Sequence, residues 1–458
     1  MDMKKLSIYT LAVASMIGTL GAESLSLITG ENGEISEKFD WSDTSKWTPT
    51  VTGVAGNDLN LNFSTTTEVK STINAGITAG DVVVNVKQNA PSASDGGRGH
   101  FYVNIERDTT FNSLTYNMTS PAWWGSYIMI KTGSTLTINN DLYAGNSGTN
   151  ANFINFASNN QADYMGNIYV KGNLVFTSNA PGPRTHALWT QLGNFTVNGA
   201  FVMKAANVGD TGRWRISNGK TTIGGLSGES TSVHQIYIDN DTSITFTNNA
   251  DYSWNGSITD VDGGAANAKK LNIVMDASAT GKQTMSITGG SLNDITINGG
   301  KFILSSTTAT TATTGKVSLN GGYFGVGNNS TAINSAEWTS GGLLFDMAAI
   351  EYEYKITIEN AFTKNGAGQI EVDFDGLNGA DYIDYDAFKL LSAGSLDGFN
   401  VDDANADFVA KNLYGALADF AWDGNSLSVT FTQIPEPAAL AAIIGAAALL
   451  FALRRKRN

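Results

Sequence analysis

Three observations predict an all-β chain built as an elongated β-solenoid, a parallel β-helix-like body. Short runs such as "STLTINND", "NFTVNGAFVM" and "KVSLNGGYFGV" alternate apolar and polar residues, which is the period of a strand with one buried face. The runs end on Asn, Asp or Gly, and aligned on that end they fall at Asn140, Gly172, Gly199, Gly219, Asn240, Gly299 and Gly321. Those positions are spaced 20 to 32 residues, with one larger gap after Asn240, which suits a body whose repeats bury their faces against neighbours. The composition agrees: 50 Gly, 7 Pro and only 15% charged residues in 458 fit strands joined by many tight turns.

The same Asn-Gly pairs are also a strong hairpin signal. "FTVNGAFVM" and "ITINGGKFIL" would each make an antiparallel hairpin, so a β-sandwich or meander stays open beside the solenoid.

The elements follow in order. Residues 1–22 read as a signal peptide: Lys4 and Lys5 are the positive flank, Leu6 to Leu20 the apolar stretch, and Gly21 and Ala22 the small residues a signal peptidase needs. Residues 23–130 read as an N-terminal β cap with the first coils. Residues 131–345 are the most repetitive part, interrupted by the low-complexity run Thr307 to Thr314. Residues 346–432 form an acidic β closing module, in which the one candidate for a helix is 403–420, "DANADFVAKNLYGALADF".

Residues 433–458 are a tail of different chemistry. Pro435, Glu436 and Pro437 precede an uncharged run, Ala438 to Leu453, and then Arg454, Arg455, Lys456 and Arg457. As a transmembrane helix 438–453 would span roughly 24 Å at about 1.5 Å per residue. That is short of a hydrocarbon core of about 30 Å, a gap that snorkelling arginines help to close. The basic end belongs on the cytoplasmic side and the body on the other.

This tail resembles the PEP-CTERM sorting signal of Gram-negative surface proteins. The resemblance implies an exosortase-type transpeptidase as partner, inner-membrane anchoring before sorting, and then a place at the cell surface or outside the cell, alongside exopolysaccharide. "FDWSDTSKWTPT" and "TTFNSLTYN" resemble the motifs of autotransporter-associated β-strand repeats, and "AFKLLSAGSLDGF" and "WDGNSLSVTFT" the segments that close such bodies. No terminal membrane barrel follows, so the autotransporter route does not carry over.

Chemistry is sparse. A net charge of -14 repels phosphate backbones and argues against nucleic acid as a partner. There is no Cys, hence no disulfide and no thiolate chemistry. His100, His186 and His234 sit in no HExxH and at no metal-ligand spacing. No nucleophile elbow, P-loop or dinucleotide fingerprint occurs. Asp239 with Asp241, and Arg213 with Arg215 around Trp214, are pairs at strand spacing and are expected at solvated strand ends or faces.

Acidic residues gather at Asp260 with Asp262, and at Asp373, Asp375, Asp381, Asp384 and Asp386. Such loops could hold a structural Ca²⁺, although neither matches a calcium-loop motif. Trp123 and Trp124 offer a ring for glycan stacking. The expected function is therefore an exported, non-enzymatic structural protein with no catalytic residue and no cofactor. The alternatives are a carbohydrate-active β-helix enzyme (a polysaccharide lyase or hydrolase) and a glycan- or ice-binding module.

Overall fold

The computed structural model describes residues 24–27, 39–41, 47–48, 55–65, 69–88, 101–120, 125–148, 153–157, 162–179, 185–205, 211–228, 233–260, 269–290, 292–306, 314–327, 331–346 and 355–434. Among these the chain is all-β, with 3-10 turns and no α-helix. It divides into two compact units, 1–222 with 229–235, and 223–228 with 236–458.

In the first unit, apart from the antiparallel pair Ser24–Leu27 with Trp47–Thr48, the strands described here pair in parallel with strands one repeat away. One ladder runs through Asp58–Thr65, Thr78–Gln88, Thr109–Ser120, Leu142–Gly148 and Leu174–Asn179 to 201–205. A second runs through Val69–Ile73, Phe101–Ile105, Gly125–Ile130 and Phe153–Ala157 to 187–191. A third joins 109–111, Thr135–Ile138, Asn167–Val170 and 194–197.

Register places like on like. Leu59, Val82, Leu114, Leu142, Leu174 and Phe201 follow one another rung by rung, each essentially excluded from water. A buried aliphatic or aromatic side chain of this size contributes about 1.5–3 kcal/mol. Because the side-chain period is two, a slip of one residue would turn the whole column outward, and this fixes the register. The second unit repeats the device with Ile244, Ile273, Ile295, Val317, Ala336 and Phe362.

The corners are held by Asx side chains. Asp81 N donates to Asp58 Oδ1 (2.7 Å), Asn112 Nδ2 to Asp81 Oδ1 (2.7 Å) and Asn140 Nδ2 to Asn112 Oδ1 (2.9 Å). Asn173 N donates to Asp141 Oδ1 (2.7 Å) and Ala200 N to Asn173 Oδ1 (2.9 Å). In the second unit Lys270 N donates to Asp241 Oδ1, Asn293 Nδ2 to Asn272 Oδ1 and Lys316 N to Asp294 Oδ1. These bonds join residues 21 to 32 apart, the spacing expected from the Asn and Gly positions.

Gly172 N donates to Asn140 O and Gly199 N to Gly172 O, so three of the aligned positions stack directly. A Cβ at Gly172 would lie 2.6 Å from Asn140 O and closer still to the Asp141 carboxylate. Gly172→Ala should therefore lower the unfolding free energy by about 2 kcal/mol, read from the urea midpoint. Gly289→Ala, whose nearest neighbour is Ser257 Cβ at 3.7 Å, should leave the midpoint in place.

Two sequence expectations are corrected. The Asn-Gly pairs do not turn hairpins. 194–197 and 201–205 pair with Asn167–Val170 and Leu174–Asn179, and Ile295–Ile297 and Lys301–Ser306 also take separate partners. Asn198–Gly199 is a bend within one continuous strand, Thr185–Ala205, because both flanks already have partners one repeat away. The region 403–420 is not helical either. It is a 3-10 turn, Ala404–Ala406, and two strands, Phe408–Tyr414 and Ala416–Asp423. Left-handed backbone at Asn412 (φ 50°) and Gly415 (φ 71°) interrupts any helix there.

"WDGNSLSVTFT" does turn a hairpin at Gly424. Ser426–Gln433 runs antiparallel to Ala416–Asp423 and to Phe388–Asp397, ending the parallel order. No helix among the described residues is long and apolar enough to cross a membrane.

Candidate functional site

The densest group of interacting titratable side chains among the described residues lies in the second unit. Lys301, Tyr323, Gly342 and Glu371 occupy one outward column, each in register with the next. Gly342 carries no side chain, and a Cβ there would come within 3.0 Å of Glu371 Cβ. The gap lets longer side chains cross a rung. The Tyr323 hydroxyl donates to the Glu371 carboxylate. Lys301 Nζ, 5.8 Å from the Tyr323 ring centroid, reaches Asp373 Oδ2 at 2.8 Å and Asp375 Oδ1 at 3.8 Å. Lys411 Nζ pairs with Glu371 Oε1 at 2.9 Å.

Asp373 is 2% exposed. Its Oδ1 accepts from Asn412 Nδ2 and from Asp375 N, both at 2.9 Å. Asn412 (φ 50°) and Asp375 (φ 52°) are the two non-glycine residues with left-handed backbone among the described residues, and both turn a donor toward this one carboxylate. Such strain persists only where the surroundings over-determine it.

The electrostatics follow from these bonds. Burial pushes the Asp373 carboxyl up, but Lys301, Asn412 and the Asp375 N–H outweigh it and hold it below its ordinary 3.8. The Tyr323 hydrogen bond, against burial and aided by Lys411, holds Glu371 below its ordinary 4.5. Burial first, and then Glu371, push the Tyr323 hydroxyl upward.

Glu371 and Asp373 lie at i and i+2, their backbones about 6.6 Å apart along one strand, the sequence pattern from which an acid–base carboxylate pair could be built. Such a pair needs one acid whose pKa is raised. Here both shifts go the other way, and the lysines and tyrosine are consumed as donors. The arrangement ties the strands of Lys301, Tyr323, Glu371 and Lys411 together.

The residues singled out from sequence fall elsewhere. Gly21, Ala22, Pro435, Glu436, Pro437, Arg454, Arg455, Lys456 and Arg457, with Trp123, Trp124, His100 and Asp262, lie outside the described residues. Asp239 and Asp241 sit in a bend, not on a strand face, and Asp241 is a corner rung. His234 is buried. Trp214 is buried, packs edge-on against Phe201 at 4.6 Å and donates to Thr190 Oγ1 at 3.1 Å. Arg213 turns outward to Gln235 Oε1, and Arg215 lies over the Trp189 ring at 4.1 Å.

Asp381 bonds Asn378, while Asp384 and Asp386 are exposed. Among the described residues no three His, Asp or Glu side chains converge as a metal site.

Aromatic rings also line up from rung to rung, but Tyr102 and Tyr127 are buried in a cluster with Met129 and Tyr164. Lys70 lies over Tyr102, Tyr102 stacks on Tyr127 at 5.0 Å, and Asn155 separates Tyr127 from Trp189 in register. The Tyr102–Tyr127 pair spends ring faces that a sugar would need. Outward threonines are irregular too: Thr135, Asn167 and Asn194 form one column, and Thr137, Tyr169 and Thr196 the next, which is no flat threonine plane.

The group around Asp373 was only half visible beforehand. Asp373 and Asp375 stood out as acids, but Lys301 lies 72 residues upstream and no local pattern joins them. Searches against protein families, curated proteins and solved structures find no match for this chain.

Proposed function

We propose that this chain is an exported, non-enzymatic structural protein of the cell surface or extracellular matrix. Its stacked parallel ladders are successive coils of a β-solenoid, and its tail is a PEP-CTERM-like sorting signal read by an exosortase-type enzyme. The observation that carries the structural part is where the polar side chains go. Corner Asx residues bond to the next rung, and the carboxylates of the densest charged group are ion-paired and held below their ordinary values. Side chains committed in this way stabilise a body and leave no poised acid or base. The sorting part rests on the order Pro435-Glu436-Pro437, apolar run, basic end, together with the leader ending at Gly21 and Ala22.

Intact mass of the protein from fractionated cells tests it, with Glu436→Ala beside the unaltered chain. The expected result is an extracellular body that begins near Glu23 and ends near Pro437, with Glu436→Ala retained in the inner membrane. A mass that still contains Ala438 to Asn458, in the inner membrane for both chains, would reduce the tail to an ordinary anchor.

A further inference from the structure

Among the described residues six large apolar side chains stand exposed, and three of them, Tyr414 (62%), Leu417 (54%) and Ile434 (47%), meet at the open end of the closing hairpin. Register puts them there. Ala416–Asp423 runs antiparallel to Ser426–Gln433, with Ala416 opposite Gln433 and Leu417 opposite Thr432. Ile434 is two residues beyond Thr432, so Leu417 and Ile434 are diagonal neighbours on one face of the pair. Tyr414 reaches the same end through the left-handed Gly415 (φ 71°), which joins Phe408–Tyr414 to Ala416–Asp423. The other face of the pair buries Phe420, Leu427, Val429 and Phe431, so the core is already filled from that side. Apolar residues exposed singly are ordinary, but a group at one edge marks a contact. The end is not free of acids. Asp419 stands two residues along the face of Leu417, where Asn405 Nδ2 donates to it at 2.7 Å, and Asn378, opposite Tyr414, donates to Asp381 at 3.2 Å. The contact is therefore one that apolar side chains make without help from charge.

We propose that this end of the hairpin lies against a lipid surface, with Tyr414, Leu417 and Ile434 entering the boundary between headgroups and acyl chains. What meets it follows from where the chain goes next. Only Pro435, Glu436 and Pro437 separate Ile434 from the apolar run Ala438 to Leu453. Four residues span at most about 14 Å when fully extended, so a tail seated in a bilayer holds Ile434 within that reach of its surface. At that distance the effective concentration of lipid is high, and weak apolar contacts are enough. Tyr suits the place, with an apolar ring and a polar tip. A net charge of -14 gives no attraction to anionic headgroups, so apolar insertion makes the contact and acidic lipid is not required. The inference rests on the reading of 438–453 as a membrane-inserted tail and adds to it a second point of contact, on the body itself.

The chain has no cysteine, so one introduced thiol reports cleanly. The full-length protein in phosphatidylcholine vesicles would carry a fluorophore at Leu417→Cys or, about 20 Å away on the same face of the same strand, at Asp423→Cys. The quencher is a nitroxide on the acyl chain, which a group merely tethered above the headgroups does not meet. Quenching at position 417 should be about threefold that at position 423, because an inserted side chain sits roughly 5–10 Å deep. Tyr414→Asp with Ile434→Asp should bring the two positions level while the protein still floats with the vesicles. Equal quenching at both positions in a protein that floats, or a difference that survives the two aspartates, would overturn the inference and leave the tail reading standing. A protein that does not float with the vesicles would remove both.

Discussion

Asp373→Ala should cost about 3 kcal/mol of folding free energy, measured by chemical denaturation at pH 7. The carboxylate is buried and satisfies Lys301, Asn412 and the Asp375 N–H together, so its loss takes the acceptor from Asn412 and the Asp375 N–H and the nearer partner from Lys301. Breaking a buried pair by removing one partner costs about 3–5 kcal/mol. The lower end applies because Lys301 keeps 29% exposure and has Asp375 at 3.8 Å.

Acid should act on the same group. Asp373 and Glu371 are both held below their ordinary 3.8 and 4.5 in the fold. Their contribution is complete above the unfolded values and is lost as pH falls through the lower folded ones. Stability should therefore be level above about pH 5 and fall below about pH 4. In Asp373→Asn the acid slope should be shallower, because one of the two linked protons is gone. An unchanged slope would show that the pair contributes nothing to acid stability.

Trp214→Ala should cost about 3–5 kcal/mol, the range for emptying a buried aromatic site. Trp214 is fully buried between Phe195 and Phe201, on strands that cannot close over the space without losing register. Trp214→Phe separates the two parts of that cost. It refills most of the volume but removes the indole N–H from Thr190 Oγ1, which keeps only its bond to Arg215 O at 3.3 Å, so about 1 kcal/mol should remain. Thermal denaturation of the three proteins reads this directly. Equal midpoints for Ala and Phe would mean that the hydrogen bond, and not the volume, dominates.

The repeat was legible in the sequence because its determinants are local. Alternation set which residues face inward, and Asn140, Gly172 and Gly199 marked corners that stack on one another. What failed was ambiguous in period or in partner. Ala404 with Phe408, and Ala416 with Phe420, are buried pairs four residues apart, a spacing that satisfies both a helix face and a strand face. The left-handed Asn412 decides between them, and no run of residues announces it. Asn198–Gly199 permits a hairpin or a bend, and the choice depends on partners 27 and 29 residues away. The Asp373 group depends on Gly342 opening a gap for side chains from other rungs, a feature of three dimensions alone.

The short sequence reach of the corner bonds has a consequence for how such a chain is made. Most of them join residues no more than 32 apart, and each rung completes the one before it. A polypeptide delivered amino end first can thus pair each strand with the one a rung before it as it emerges, without waiting for the remainder to arrive. Longer ties cross several rungs in both units: Tyr164 to Glu106 in the first, and Gln283 to Leu226, Tyr323 to Glu371, Lys301 to Asp373 and Lys364 to Asp407 in the second. Each closes only when its later partner arrives, so the short Asn and Asp bonds let rungs form in order while these ties fasten later rungs back onto earlier ones.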